Sequence, residues 1–526
     1  MQHRRFFAKA AAALAAGETR DAAFNARKAI LKNPENPEAY RLMAQICERA
    51  GSQQAVFYRE KVATLLASDA QARLDWMQTA ILFGDLVSAE RAMQTLAPAD
   101  RKTAEFHKLA GVLAVAQRRP AIAETEFAEA VRMQPSNPIP QLNLAVLRLA
   151  SSNAPVAADA RATLIRLCQQ PAVRSDALRH LTGDTLRHKR LNEALNYSQG
   201  LMQATNVTVP DRVLRLDVLL EAKAPGLDAT LKSTQEAAKG VPAAAAEVGR
   251  WMVRTGRAKE ALVWLKSLSP DKPLTPPVVL VAVACYADLK DTDGLAALLD
   301  GGSWGDQDFY RECLRSSVHR LKGETSAAQS AWRRALRDAS DSREHLTEVI
   351  QFAAAQGWVD EQEEALAALV DRAPGERWAV ERLLAVYRNR GKTRRMQTLL
   401  SRAHEMDPTN PAIKNNLAIT SLLLDARDSR GHQLASEAYH AQPTNAFYLS
   451  TYAFALLQQK KPAQALKLFE TLDRKALNDP AVAMYYGLVL SGSGRGAEAG
   501  KYLAGSANAW LLPEETNLVA MARKGT

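Results

Sequence analysis

The chain has 526 residues, of which 47% are hydrophobic and only 6% aromatic; 68 basic against 57 acidic residues give a formal net charge of +11. No apolar run reaches the roughly eighteen residues that a transmembrane helix needs, so the chain as given offers no such helix. Cys47, Cys168, Cys285 and Cys313 are widely spaced with no C-x-x-C pair, which argues against a disulfide framework or a thiolate metal site.

The first element admits three readings. Arg4-Arg5-Phe6-Phe7-Ala8-Lys9 matches the R-R-x-F-x-K core of a twin-arginine export signal, followed by the alanine run Ala10 to Ala16. That run is short and weakly hydrophobic. The same residues make a helix of a repeat unit, with Gly17 at a turn and Ala22, Ala29 and Pro34 beyond it, and this reading is preferred. In the third, His3-Arg4-Arg5 is the basic flank of a membrane anchor lying outside the sequence.

Further along, Gly111, Ala123, Phe127, Ala130 and Pro135 form the clearest copy of a pattern that recurs about every thirty-four residues. Asn33-Pro34, Asp407-Pro408 and Gln442-Pro443 close other copies. The physical reading is a pair of helices, A and B, that cross where only a small residue lets the backbones approach, with larger residues filling the space around the crossing. The proline cannot continue helix B and ends it. Copies begin near residues 3, 37, 71, 104, 138, 175, 209, 242, 276, 309, 343, 377, 411, 446 and 480, with one extra residue in the copy at 411. Small-large-small triplets recur as Ala328, Trp332 and Ala335, as Ala465, Phe469 and Leu472, and as Met396, Leu400 and Ala403.

The middle is less regular. Ala224-Pro225-Gly226 and Pro270-Asp271-Lys272-Pro273 break the pattern, and the second marks the expected boundary between two halves, 3–274 and 275–513. Thr275 to Ala284 looks strand-like by composition yet fits a buried A helix in register. The last segment, 514–526, is expected to be a capping helix: it follows Pro513, carries Glu514 and Glu515 in its first turn, and ends with Arg523-Lys524-Gly525.

These residues resemble the tetratricopeptide repeat, and Asn143-Leu144-Ala145 and Asn416-Leu417-Ala418 match the N-L-G/A turn of its helix A. The resemblance extends over almost the whole chain and is weakest in the copies at 138, 209 and 276. It implies an all-α fold, a right-handed α-solenoid superhelix of about fifteen helical hairpins, acting as a non-enzymatic scaffold for other proteins. No cofactor, metal or small-molecule substrate is expected. Gly391-Lys392-Thr393 lacks the first glycine of a phosphate-binding loop, where Val386 stands, and Gly492, Gly494, Gly496 and Gly500 fall at an inter-helix turn with no strand before them. Cys47 and Cys285 fall at apolar positions and read as buried free thiols.

Two binding surfaces are expected. In the resembling family the A helices line a peptide groove; Phe447, Phe454 and Leu457, with Met484 and Tyr485 in the next copy, are the candidate lining here. Packing against the terminal cap is the alternative role for some of them. The second surface is a basic edge of turns, densest at Arg388, Arg390, Lys392, Arg394 and Arg395, and repeated at Arg118 and Arg119; at Arg187, Lys189 and Arg190; at Arg254, Arg257 and Lys259; and at Lys460 and Lys461. An anionic polymer (acidic polysaccharide, lipid headgroups or RNA) is the partner such an edge would draw, although the helix dipole favours cations there in any case. The alanine- and arginine-rich composition looks bacterial, and either the cytoplasm or the cell envelope, including a polysaccharide-export assembly, suits a scaffold of this kind. Membrane association is expected only through a segment outside this sequence. Because the repeats between residues 205 and 300 match their own pattern least well, hydrogen exchange should find them opening first; uniform protection along the chain contradicts this.

Overall fold

The computed structural model of the chain describes residues 2–473, 475–505 and 510–524. Gly525, which closes the expected last segment, lies outside them. Among the described residues the regular structure is helical throughout, and no helix is long and apolar enough to cross a membrane. The helices follow one another as hairpins: α1 (Gln2–Ala15) with α2 (Thr19–Lys32), α3 (Pro37–Arg49) with α4 (Gln54–Leu65), α5 (Ala70–Leu82) with α6 (Leu86–Thr95), α7 (Ala104–Ala116) with α8 (Pro120–Met133), and α9 (Pro138–Leu149) with α10 (Ala154–Leu167). Next come α11 (Arg174–Arg187) with α12 (Leu191–Met202), α13 (Val209–Glu221) with α14 (Leu227–Ala238), α15 (Pro242–Arg254) with α16 (Ala258–Ser267), and α17 (Val278–Asp288) with α18 (Thr292–Asp300). The series continues with α19 (Asp308–Leu321) and α20 (Thr325–Ala339), α21 (Arg343–Ala355) and α22 (Val359–Arg372), and α23 (Arg377–Asn389) and α24 (Thr393–Met406). It ends with α25 (Pro411–Leu424) and α26 (Ser429–Ala441), α27 (Ala446–Gln458) and α28 (Pro462–Phe469), and α29 (Pro480–Gly492) and α30 (Gly496–Gly505), after which α31 (Pro513–Lys524) stands alone.

The all-α solenoid of hairpins is therefore present, including the strand-like segment, which becomes α17 with Val279, Val281, Ala282 and Cys285 buried. Two compact units divide the chain. One runs to Pro270 and takes in Leu280–Ala282; the other comprises Asp271–Val279 and everything from Val283 onward. The Arg4 to Lys9 stretch lies in α1, whose Ala10, Ala13 and Leu14 are buried.

Local signals explain where the helices start and stop. Asn36, Asn137, Asn410, Asn445 and Asp479 each cap an A helix through a side-chain oxygen that accepts a backbone N–H of the first turn, and a proline stands at the start of four of these helices. Between A and B the chain must reverse within a few residues, which calls for a left-handed residue just past helix A. Thirteen of the fifteen hairpins have one there: eight glycines, for example Gly17, Gly256 and Gly391, and five basic residues, Arg118, Lys189, Lys223, Lys290 and Lys460.

The crossing of the two helices follows the expected physics. A Cβ placed on Gly111 would stand 2.5 Å from the ring of Phe127, and one on Gly487 2.8 Å from Leu503. Ala123, Ala130, Ala328, Ala335 and Ala465 are buried to within 1% at the matching crossings, with Phe127, Trp332 and Phe469 between them. In the second unit a continuous core runs from Phe309 through Leu383, Leu417, Leu449 and Val489 to Val519 of α31.

Gly111→Ala should therefore destabilise the first unit by about 1–2 kcal/mol, since crowding outweighs alanine's better helix propensity. With Phe127→Leu made alongside, the added methyl should become nearly neutral. Urea unfolding of the two single variants and the double variant checks this coupling.

Candidate functional site

In the second unit the first helices of successive hairpins, α23, α25, α27 and α29, together with Met396 and Leu400 of α24 and with Leu512 and Glu515, wall a groove of about 570 Å³. Arg388, Asn415, Ile419, Phe447 and Tyr485 are among its walls. Phe447 stands at the start of α27, held there by the Asn445 cap, and is 51% exposed. Asn415 is only 7% exposed; its amide donates to Asn416 at 3.2 Å, while its carbonyl oxygen has no hydrogen-bond partner among the described residues. Arg388 is exposed and forms no ion pair among them.

Of the five residues read from the sequence as the peptide groove, the structure leaves only Phe447 as an open apolar surface. Phe454 and Met484 are buried in the core, at 1% and 0% exposure, and are corrected from ligand contacts to packing residues. A step of one residue along a helix turns the side chain by about 100°, so neighbours of groove positions fall inside. Leu457 is half-buried against Gly492, where a Cβ would lie 2.5 Å from its Cδ1. Tyr485 lines the groove and packs 5.2 Å from the ring of Phe454, but it is already covered.

What covers it is the segment leading into α31. Glu515 accepts a hydrogen bond from the Tyr485 hydroxyl with one carboxylate oxygen and from the backbone N–H of Leu512, at 2.8 Å, with the other. Burial, reinforced by the Glu515 charge, pushes the Tyr485 phenol well above its ordinary range. Thr393, at the start of α24, donates to Glu514, and Pro513 rests on the turn glycine Gly391, where an added Cβ would meet it at 2.8 Å. At the other end Arg523 donates to the carbonyl of Leu503 in α30. The segment expected as a cap forms α31, which touches α29 and α30 and also reaches back to the α23–α24 turn.

The basic edge is built around an acid that sequence reading missed. Glu363 of α22, 4% exposed, accepts from Arg390 at 2.8 Å, from Lys392 at 2.6 and 2.7 Å, and from Arg395. Burial alone would raise its carboxyl, yet Lys392 and Arg390 more than offset this and hold it below the usual range. Arg395 also lies over the ring of Tyr387, and Arg390 reaches Asp360. Arg394 points instead toward the space beside α31, and Arg388 toward the groove. Thus the five cations do not share one free surface. The other turns are mixed: Lys189 pairs with Glu221, Arg190 with the buried Asp184, Arg254 with Asp217 and Arg257 with Asp228, whereas Arg118, Arg119, Arg187, Lys259, Lys460 and Lys461 have no ion pair among the described residues. The signal for Glu363 was the acidic run from Asp360 to Glu364, one repeat before the cations.

Replacing Glu363 with Gln should lower stability at neutral pH by about 1–2 kcal/mol, the loss of hydrogen bonds to charged groups. A depressed carboxyl stabilises above its ordinary value of 4.5 and ceases to do so as the pH falls through its folded value. The variant should therefore match the wild type in strong acid and fall behind it above pH 4.5. Denaturation midpoints across that window decide it.

Comparison with known proteins adds the following. The tetratricopeptide repeat family profile matches residues 7–55 and 108–170. No curated protein matches the chain. Among solved structures, a tetratricopeptide repeat protein from Parabacteroides merdae aligns at 14% identity over 48% of this chain and 98% of its own, with a TM-score of 0.39. The Cut9–Hcn1 hetero-tetramer of the APC/C aligns at 13% identity over 86% and 96%, with a TM-score of 0.31. Naa15/Naa10 bound to HypK-THB aligns at 14% identity over 100% and 78%, with a TM-score of 0.29. The profile falls on α1–α3 with the start of α4 and on α7–α10, hairpins whose small residues sit at the helix crossing, and in these stretches the chain is similar to the tetratricopeptide repeat family.

Proposed function

We propose that this protein is a non-enzymatic scaffold that holds another protein through the A-helix groove of its second unit. The observation that carries this reading is a groove with an exposed aromatic, Phe447, together with a cation, Arg388, that has no ion pair and a buried amide oxygen, on Asn415, that has no donor among the described residues. Apolar grooves with a few convergent polar groups are where extended or helical segments dock. The setting we infer is a bacterial cytoplasm or cell envelope, an envelope or polysaccharide-export assembly included; its support is composition and fold-level analogy.

The alternative, an anionic polymer along the basic edge, has Arg118, Arg119 and Arg394 in its favour as cations without an ion pair among the described residues. Against it stands the pairing of Arg390, Lys392 and Arg395 with Glu363.

Affinity capture separates the two. Wild type, Phe447→Ala with Arg388→Glu, and Arg118→Glu with Arg394→Glu are run at low and high salt. A protein that survives high salt and is lost only from the Phe447/Arg388 variant supports the scaffold. Anionic material that vanishes at high salt and from the Arg118/Arg394 variant transfers the function to the edge.

A further inference from the structure

We propose that the segment from Leu512 into α31 is a built-in ligand of the groove, and that the groove's external partner is a protein segment of the same chemistry: an apolar residue, a proline, then a helix opening on paired carboxylates. This rests on the scaffold reading above and names the class of segment it binds.

Three observations support it. A terminal cap need only hide the last hairpin, yet this segment reaches across 121 residues of sequence to Thr393 and seats Pro513 on Gly391. The contacts are selective rather than merely apolar. Tyr485 donates to one oxygen of Glu515, the backbone N–H of Leu512 just before α31 donates to the other, and Thr393 donates to Glu514, so what is read is the acidic start of a helix. Leu512 is buried beside these carboxylates at 6% exposure and supplies the apolar anchor.

The built-in segment also leaves the groove incompletely used. Among the described residues Arg388 lines the same groove with no ion pair and the Asn415 carbonyl oxygen lacks a donor, while Phe447 remains half-exposed. A longer external segment with a further carboxylate and an extended backbone before the proline can satisfy all three while taking the place of the internal one. Charge favours such a ligand, since the chain carries a net +11. The tethered segment then sets a threshold, because it competes at an effective concentration that any partner must exceed.

The test uses the full chain and a labelled synthetic peptide covering residues 510–524, read by fluorescence anisotropy. Wild type is compared with Leu512→Asp/Glu515→Lys, in which the internal segment is released, and with the same variant carrying Tyr485→Phe. Tethered segments act at effective concentrations of order millimolar, so release should tighten peptide binding roughly ten- to a hundredfold. Tyr485→Phe should then weaken it several-fold. In wild type, excess peptide should raise hydrogen exchange in residues 513–524 while α25, α27 and α29 stay protected, a readout that does not depend on the variant folding. Equal binding to wild type and the released form, with no change in exchange, makes α31 a fixed cap and overturns the proposal. Peptide binding that converts a dimer to a monomer makes the occupant a second copy of this chain, and also overturns it. A captured protein that depends on Phe447 but ignores the peptide removes the built-in ligand while leaving the scaffold reading in place.

Discussion

Everything in this molecule depends on how closely two helices can cross. At Gly111 the ring of Phe127 occupies the space where a Cβ would be, and at Gly487 the side chain of Leu503 does the same. That proximity requires glycine or alanine at fixed intervals, which accounts for the abundance of alanine and the scarcity of aromatic residues. Alanine buries little area, so a single hairpin gains too little from its own core to stand alone. Each must borrow the surface of the next, as the unbroken core from Phe309 to Val519 displays.

The same geometry assigns the charges. A tight reversal after helix A needs a left-handed residue, and where it is not glycine it is lysine or arginine, which sits favourably at the negative end of the helix. One of them, Lys189, reaches Glu221 about one repeat away, and cations elsewhere in the repeats make links of the same span. Lys322 to Asp293 and Arg257 to Asp228 span 29 residues, and Arg91 to Glu60 and Arg402 to Asp371 span 31. Exposed pairs of this sort add little stability, because water screens them and ordering two long side chains costs entropy. Their larger role is to fix how one hairpin sits on its neighbour. Part of a row of basic residues that reads as a binding edge in sequence is lacing between repeats, as at Lys189, Arg254, Arg257, Arg390, Lys392 and Arg395.

This also explains which features the sequence disclosed. Hairpin number and helix positions were legible because a period repeated many times leaves little freedom, and small residues such as Ala123 and Ala328 mark the crossings directly. The groove was legible only as a region. Whether Phe447 or Phe454 faces outward turns on rotation about the helix axis, which composition does not reveal. The helix of α31 was legible from Pro513 and the acidic first turn, but its reach was not, since the link from Glu514 to Thr393 belongs to no period and depends on the groove being already built. Glu363 escaped for a related reason: an acidic residue on a B helix looks like solvent-facing surface until the next hairpin delivers its cations.

The turn at 425–428 differs from three-residue turns such as 390–392, and it carries no left-handed residue. Here the copy beginning at 411 absorbs its extra residue, with Asp428 capping the next helix, and from α27 onward the pattern resumes in phase. The stack thus tolerates length changes in two currencies only. Whole hairpins can be gained or lost, because each interface is a repetition of the last, and single residues can be taken up at a reversal that has given up its glycine. A one-residue insertion inside a helix would instead rotate every later side chain away from its neighbour. Such turns are the natural joints at which a chain of this kind can lengthen, diverge or accept a foreign loop without losing the count.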